Sequence, residues 1–260
     1  MNRRNFIKRG ALFVPTIFVP KLIRATPANL NAAFFRGKVP ASGGGGGGGG
    51  AWTLIGTATI IGDGTTTAQT SSAIDTTGAN LIVAWIAGAD FATLTDNKGN
   101  SFTDLTDPSG SPRGGFKYRI SPTVGTGHTF TGASGVPVII QAWKKNSGTP
   151  VADVDTGGVS GGGAGWVSGA NIAMPSITPT STADLMLTAM LWDVGSDPSL
   201  ATVGSSYTAG SAIHSPGNGS GIINMSVYYK VKSDNAAEAP VWHNGGYATP
   251  DYSGSSTSFK

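Results

Sequence analysis

Two stretches decide the fold: TTGANLIVAWI at residues 76–86 and TSTADLMLTAM at residues 180–190. Each passes from Thr through Ala and an Asn or Asp into Leu and an apolar run, and the two lie 104 residues apart. The runs at 81–87 and 185–191 are apolar at successive positions instead of alternating, the pattern of strands covered on both faces. A second pair follows in the same order. FKYRI at 116–120 matches VYYKV at 227–231 position by position, 111 residues apart, so the second copy carries a longer loop. His128-Thr129-Phe130 then answers Pro240-Val241-Trp242. Ordered matches at nearly one offset predict a duplicated unit, with the Gly-rich GGVSGGGAGWVSG (157–169) as its seam. The competing reading is chance likeness among Thr-, Ala- and Leu-rich strands.

Composition points the same way. Gly supplies 40 of 260 residues, charged residues only 12%, and Glu occurs once, at Glu238. Short apolar runs punctuated by Gly, Thr, Asn, Asp and Pro, with a good helix former almost missing, predict an all-β chain with many turns. The absence of Cys excludes disulfides and thiolate metal sites. The net charge of +3 is misleading, because residues 1–40 hold eight of the 17 basic groups and no acid. Residues 41–260 hold nine basic and 14 acidic groups, so the body has no nucleic-acid-binding character.

The chain opens MNRRNFIKRGALFVPTIFVPKLIRA. Arg3, Arg4 and Phe6, with Asn2 before and Lys8 after, resemble a twin-arginine export signal, and Ile7 stands where that signal has Leu. The apolar region that follows is ten residues long and broken by Pro15 and Pro20, too short to span a bilayer. Cleavage sites with small residues end at Ala25 or Ala28. The alternative is a basic arm that stays attached, as on a virion protein. The eight glycines at 43–50 predict a flexible tether whose ends stand about 15 Å apart. The expected division is a leader at 1–28, a linker at 29–50, one sandwich half at 51–156, the seam at 157–170 and a second half at 171–260.

Strands are expected at 52–61, 80–88, 101–105, 115–120, 127–131, 136–143, 171–178, 184–193, 222–231, 239–243 and 254–259. TDNKGNSFT (95–103) and the segment turning at Gly125 to Gly127 read as hairpins. The combination of TTGANLIVAWI, TDNKGNSFT, KYRISPTVGTGHTFT and VPVIIQAW resembles β-sandwich modules of bacteriophage structural and tail-associated proteins and of bacterial surface proteins. That resemblance covers most of 70–145 and, more loosely, 177–259. It implies an antiparallel β-sandwich, jelly-roll or Ig-like, and a setting on a virion or cell surface; it brings no catalytic residues.

The search for chemistry yields little. Gly158-Val159-Ser160-Gly161-Gly162 has the spacing of a nucleophile elbow but no strand-then-helix context. His128, His214 and His243 share no metal-ligand spacing. His128 and His243 fall at similar repeat positions and read as structural. Asp153/Asp155 and Asp193/Asp197 are the carboxylate pairs that glycosidic acid–base chemistry would need, with Asp153 and Asp155 on one strand face. Asp96, Asn100 and Asp104 fit a turn better than a Ca²⁺ loop. Trp85, Trp143 and Trp192 read as core, whereas Trp166 and Trp242, the latter beside His243, are the candidates for ligand contact. No metal or other cofactor is expected. The sequence therefore predicts a non-enzymatic structural or attachment module, extracytoplasmic if the leader is used and otherwise on a virion. Its expected partners are other virion or surface proteins, glycans, or further copies of itself. The alternatives are an exported carbohydrate-binding protein using exposed Trp and an exported hydrolase.

Overall fold

A computed structural model describes residues 51–62, 67–88, 93–106, 108, 112–161, 166–193, 201–204, 206–215, 223–246 and 251–260, all within one compact unit running Gly48–Lys260. The leader, the tether, Asp197 and Gly162 lie outside the described residues. Sixteen strands and no helix are found among those described. The first eight are β1 (Trp52–Ile60), β2 (Gln69–Thr70), β3 (Leu81–Ala87), β4 (Thr95–Asp96), β5 (Thr103–Asp104), β6 (Gly114–Ile120), β7 (Phe130–Gly132) and β8 (Val138–Lys145). The second eight are β9 (Ala152–Gly161), β10 (Asn171–Ala173), β11 (Leu185–Trp192), β12 (Ala201–Val203), β13 (Thr208–Ser215), β14 (Ile223–Val231), β15 (Val241–Asn244) and β16 (Tyr252–Phe259).

The pairing of the first eight repeats in the second. One five-stranded sheet runs β1-β8-β3-β6-β5 and the other β9-β16-β11-β14-β13; the three-stranded sheets run β2-β7-β4 and β10-β15-β12. Adding eight to each strand number converts one half into the other. The first strand of each half pairs with its last, the third with the sixth and the second with the seventh, which is the wrapping of a jelly roll. Every pairing is antiparallel.

Residue registers make the duplication specific. Leu81 on β3 faces Ile120 and Trp143, and Leu185 on β11 faces Val231 and Phe259. The FKYRI and VYYKV strands are thereby equivalent, and Trp143 corresponds to Phe259. The third match shifts by two residues. His128 bridges Ile74 as Glu238 bridges Ile177, so His128 corresponds to Glu238 and Phe130 to Pro240.

Each half encloses its own core between its five- and three-stranded sheets, and a third core joins the halves. Ile82, Ala84, Ile86, Phe130 and Ile140 fill the first, and Met174, Met190, Trp166, Trp192 and Trp242 the second. Leu81, Val83, Trp85, Phe116 and Trp143 meet Leu185, Leu187, Leu191, Val227 and Phe259 in the third. The five-stranded sheets thus lie back to back in the middle of four layers. This is why β3 and β11 are buried at every position: a central strand of an inner sheet has no face left for water.

The halves meet about a pseudo-twofold axis. The Trp143 ring stands edge-on to Tyr229 at 4.7 Å, and Tyr118 stands edge-on to Phe259 at 5.5 Å. Tyr118 corresponds to Tyr229 and Trp143 to Phe259, so one aromatic contact occurs twice with the halves exchanged, as at an isologous dimer interface.

Three expectations change. The first half closes at Lys145, and the Gly-rich stretch is not a seam, since Gly157 to Gly161 lie in β9, an edge strand of the second half. Its glycines serve close approach. A Cβ at Gly158 would stand 2.1 Å from the Gly254 carbonyl oxygen, and one at Gly161 2.6 Å from the Tyr252 ring. The two expected hairpins are corners between sheets, because β4 and β5, like β6 and β7, belong to different sheets. Among the residues of TDNKGNSFT, only Gly99 takes positive φ.

Candidate functional site

Among the described residues, three clusters carry ionisable side chains bonded to one another or to polar neighbours. In the first half, His128 bonds Thr76 Oγ1 through Nδ1 and Asp96 Oδ2 through Nε2, both at 2.9 Å. Asp96 also accepts the backbone N–H groups of Lys98 and Asn100 and the Asn100 amide. The side chains of His128 and Asp96 are completely buried and Thr76 is too. A Thr, a His and an Asp in a row suggest nucleophilic chemistry. Here, though, Thr76 Oγ1 is held by the Gly125 backbone, and none of the three reaches solvent. Burial works to raise the Asp96 pKa, and the bonds from Asn100, His128 and Lys98 outweigh it, leaving the carboxyl below its ordinary range. The group organises a turn, as expected for Asp96 and Asn100. Asp104 stands apart from it, paired with Lys117.

Glu238, the counterpart of His128, gathers Lys230 at 2.7 Å and Lys232 at 3.0 Å, and Lys232 also reaches Asp234 at 2.8 Å. Burial, reinforced by the Glu238 charge, raises the phenol pKa of Tyr207. The same corner of each half is therefore closed by a buried hydrogen-bond network in one and an ion cluster in the other.

The third cluster has the most chemical potential. β9 carries an extra residue against β16: Thr257 faces Asp155 and Phe259 faces Ala152, so three steps on β9 oppose two on β16. Such a bulge re-aims side chains. Asp153 and Asp155 consequently do not share a face. Asp155 accepts the Thr106 N–H from the first half. Asp153 instead accepts the Thr180 N–H at 2.8 Å and the Thr180 hydroxyl, and pairs with Lys260 Nζ at 2.9 Å. Beside it lies Asp184, fully buried, with one carboxyl oxygen bonded by Ser181 and Oδ2 without a hydrogen-bond partner. Burial first, then the nearby Asp153 carboxylate, pushes the Asp184 pKa up to about 6. Burial opposes but does not prevent the lowering of Asp153 by its bonds from Thr180 and Lys260. Two carboxyls driven apart in this way can hold a proton or a cation between them. No spacing in the sequence flags this pair, which is assembled by strand pairing across 31 residues.

The remaining sequence candidates are dispersed. Trp166 and Trp242 are both completely buried. Trp166 donates to the Ala170 carbonyl and Trp242 to Thr188 Oγ1, so neither offers a face for stacking on a sugar. All six tryptophans belong to the cores. Exposed His243 bonds Asn171 through Nδ1 at 2.9 Å on the solvent side of the second three-stranded sheet. Asp193 accepts the Asp251 N–H at 3.0 Å. Ser160 pairs with Ser253 inside β9, not on an elbow. Among the described residues, no three His, Cys, Asp or Glu side chains group as metal ligands, and no helix is long and apolar enough to cross a membrane. No family model, curated protein or solved structure matches the chain.

Proposed function

We propose that this chain is a non-enzymatic structural and attachment module exposed on a virion or a cell surface. The observation that carries this reading is the twinned jelly roll with a core shared between its halves, a body whose conspicuous side chains are spent on internal packing. Jelly rolls recur in viral capsid proteins and lectins, where the fold supplies a stiff frame and its surface supplies recognition; that support is analogy at the level of fold. A basic N-terminal arm resembling an export leader fits delivery of a folded body out of the cytoplasm. The carbohydrate-binding alternative, resting on Trp166 and Trp242, loses its means, since both rings are interior. Immunogold labelling with antibodies to the folded body should decorate intact particles or unpermeabilised cells. Labelling confined to the cytoplasm of permeabilised cells overturns the proposal.

A further inference from the structure

The Asp153–Asp184 cluster is short of positive charge. Two buried carboxyls share one ammonium, and Lys260 Nζ reaches only Asp153 Oδ1, at 2.9 Å, and Thr180 Oγ1, at 2.8 Å. Asp184 Oδ2 is left with no donor inside a fully buried residue. A buried carboxylate in that condition costs several kcal/mol unless a partner arrives. Apart from Lys260, the side chains that bond the pair offer only hydroxyl oxygens: Thr180 Oγ1, Ser181 Oγ, and Ser258 Oγ, which lies 3.5 Å from Asp153 Oδ2; the Thr180 backbone N–H also donates to Asp153. Two carboxylates and neighbouring hydroxyls form an all-oxygen ligand set, which suits a hard cation and not a soft one.

We propose that Asp153 and Asp184, with the hydroxyls of Thr180 and Ser258, form a site for a hard divalent cation such as Ca²⁺ that bonds both carboxylates. Lys260 is the tethered competitor. Its side chain is 39% exposed, so the ammonium can turn out to solvent when the metal enters. The site joins three separate pieces of the second half. Asp153 comes from the bulge of β9, Thr180 and Asp184 from the turn into β11, and Ser258 from the end of β16. A bound cation would therefore staple the edge strand β9 to the sheet interior. The equivalent place in the first half differs: Asn80, the counterpart of Asp184, is neutral and bonds both backbone groups of Lys145.

The test is thermal unfolding of the full chain at pH 7.5 after EDTA treatment. About 10 mM CaCl₂, above the millimolar range of extracellular Ca²⁺ modules, is compared with NaCl of equal ionic strength. The expected result is a rise in Tm of about 3 °C in Ca²⁺ alone. Asp184→Asn should abolish the rise, and Lys260→Gln should enlarge it by removing the competing ammonium. Equal Tm values in the two salts overturn the proposal, as does a Ca²⁺ response that persists in Asp184→Asn or shrinks in Lys260→Gln.

Discussion

The two halves share a strand order but not an interior. Between the sheets of the first half, β3 and β8 present Ile82, Ala84, Ile86, Ile140 and Ala142. At the same positions β11 and β16 present Met186, Thr188, Met190, Ser256 and Ser258. The second interior is polar at its centre, where Ser256 Oγ and Trp242 Nε1 both donate to Thr188 Oγ1 at 2.9 Å. Charge follows the same division. Residues 51–149 carry six basic and six acidic groups, and residues 150–260 three and eight. The face the halves share is mainly apolar, with Gln141 of the first half and Ser255 and Thr257 of the second buried on it. The contrast teaches that the aromatic pairs of the pseudo-twofold contact are kept in both halves while the outer interiors diverge, as expected where each face must fit a near-copy of itself.

The largest effect tests that shared face. Trp143→Ala and Phe259→Ala remove equivalent rings, and each should cost about 3–5 kcal/mol in urea unfolding. Both should lower one common transition. A biphasic curve, with only the mutated half weakened, would break the equivalence. Next is the buried corner of the first half: Asp96→Ala strips the partner from His128 and should cost about 3 kcal/mol. Because the Asp96 pKa is depressed in the fold, its contribution is present at neutral pH and is lost as pH falls through the folded value. The variant should therefore show less acid destabilisation than the parent below pH 4, by circular dichroism; parallel profiles would remove Asp96 from the account.

A smaller effect separates the outer interiors. Thr188→Val strands the Trp242 indole N–H and the Ser256 hydroxyl and should cost about 1–2 kcal/mol. Ala84→Val, at the equivalent site in an aliphatic interior, should act through volume alone and show no such loss of a polar partner. Equal polar penalties, read from heat-capacity and Tm changes, would make the two interiors alike. Smallest is Asp184→Asn, which gives the second half the neutral side chain of the first. The raised carboxyl favours the protonated fold, so its contribution is greatest below the unfolded pKa near 4 and is lost as pH rises through about 6. In EDTA the variant should therefore gain a degree or two in Tm at pH 7.5 and nothing at pH 4.5. A gain at both would contradict the pairing with Asp153.

The central strands were readable in the sequence because burial on both faces leaves an unbroken apolar run, as in LIVAWIA and LMLTAMLW. Their neighbours FKYRI and VYYKV were readable because both copies keep the Tyr that crosses to the other half. The edge strands β9 and β13 were missed. Gly-rich or half-buried, each with bulges against its neighbour, they show no steady alternation. A bulge also misled the reading of Asp153 and Asp155, since one extra residue reverses which way the next side chain points. The two-residue error at His128 arose on strands too short to carry a pattern of their own. The tryptophans misled for a different reason: Trp166 lies in glycine-rich sequence and Trp242 borders Asn and Gly, yet both rings turn inward.

Native-state hydrogen exchange tests the shared core most directly. If the halves form one cooperative body, the slowest amides of β3 (Leu81–Ala87) and β11 (Leu185–Trp192) exchange only through global opening, with the same free energy and the same denaturant slope. Protection in one strand that falls several kcal/mol below the other, with a shallower slope, would mean that the halves open independently.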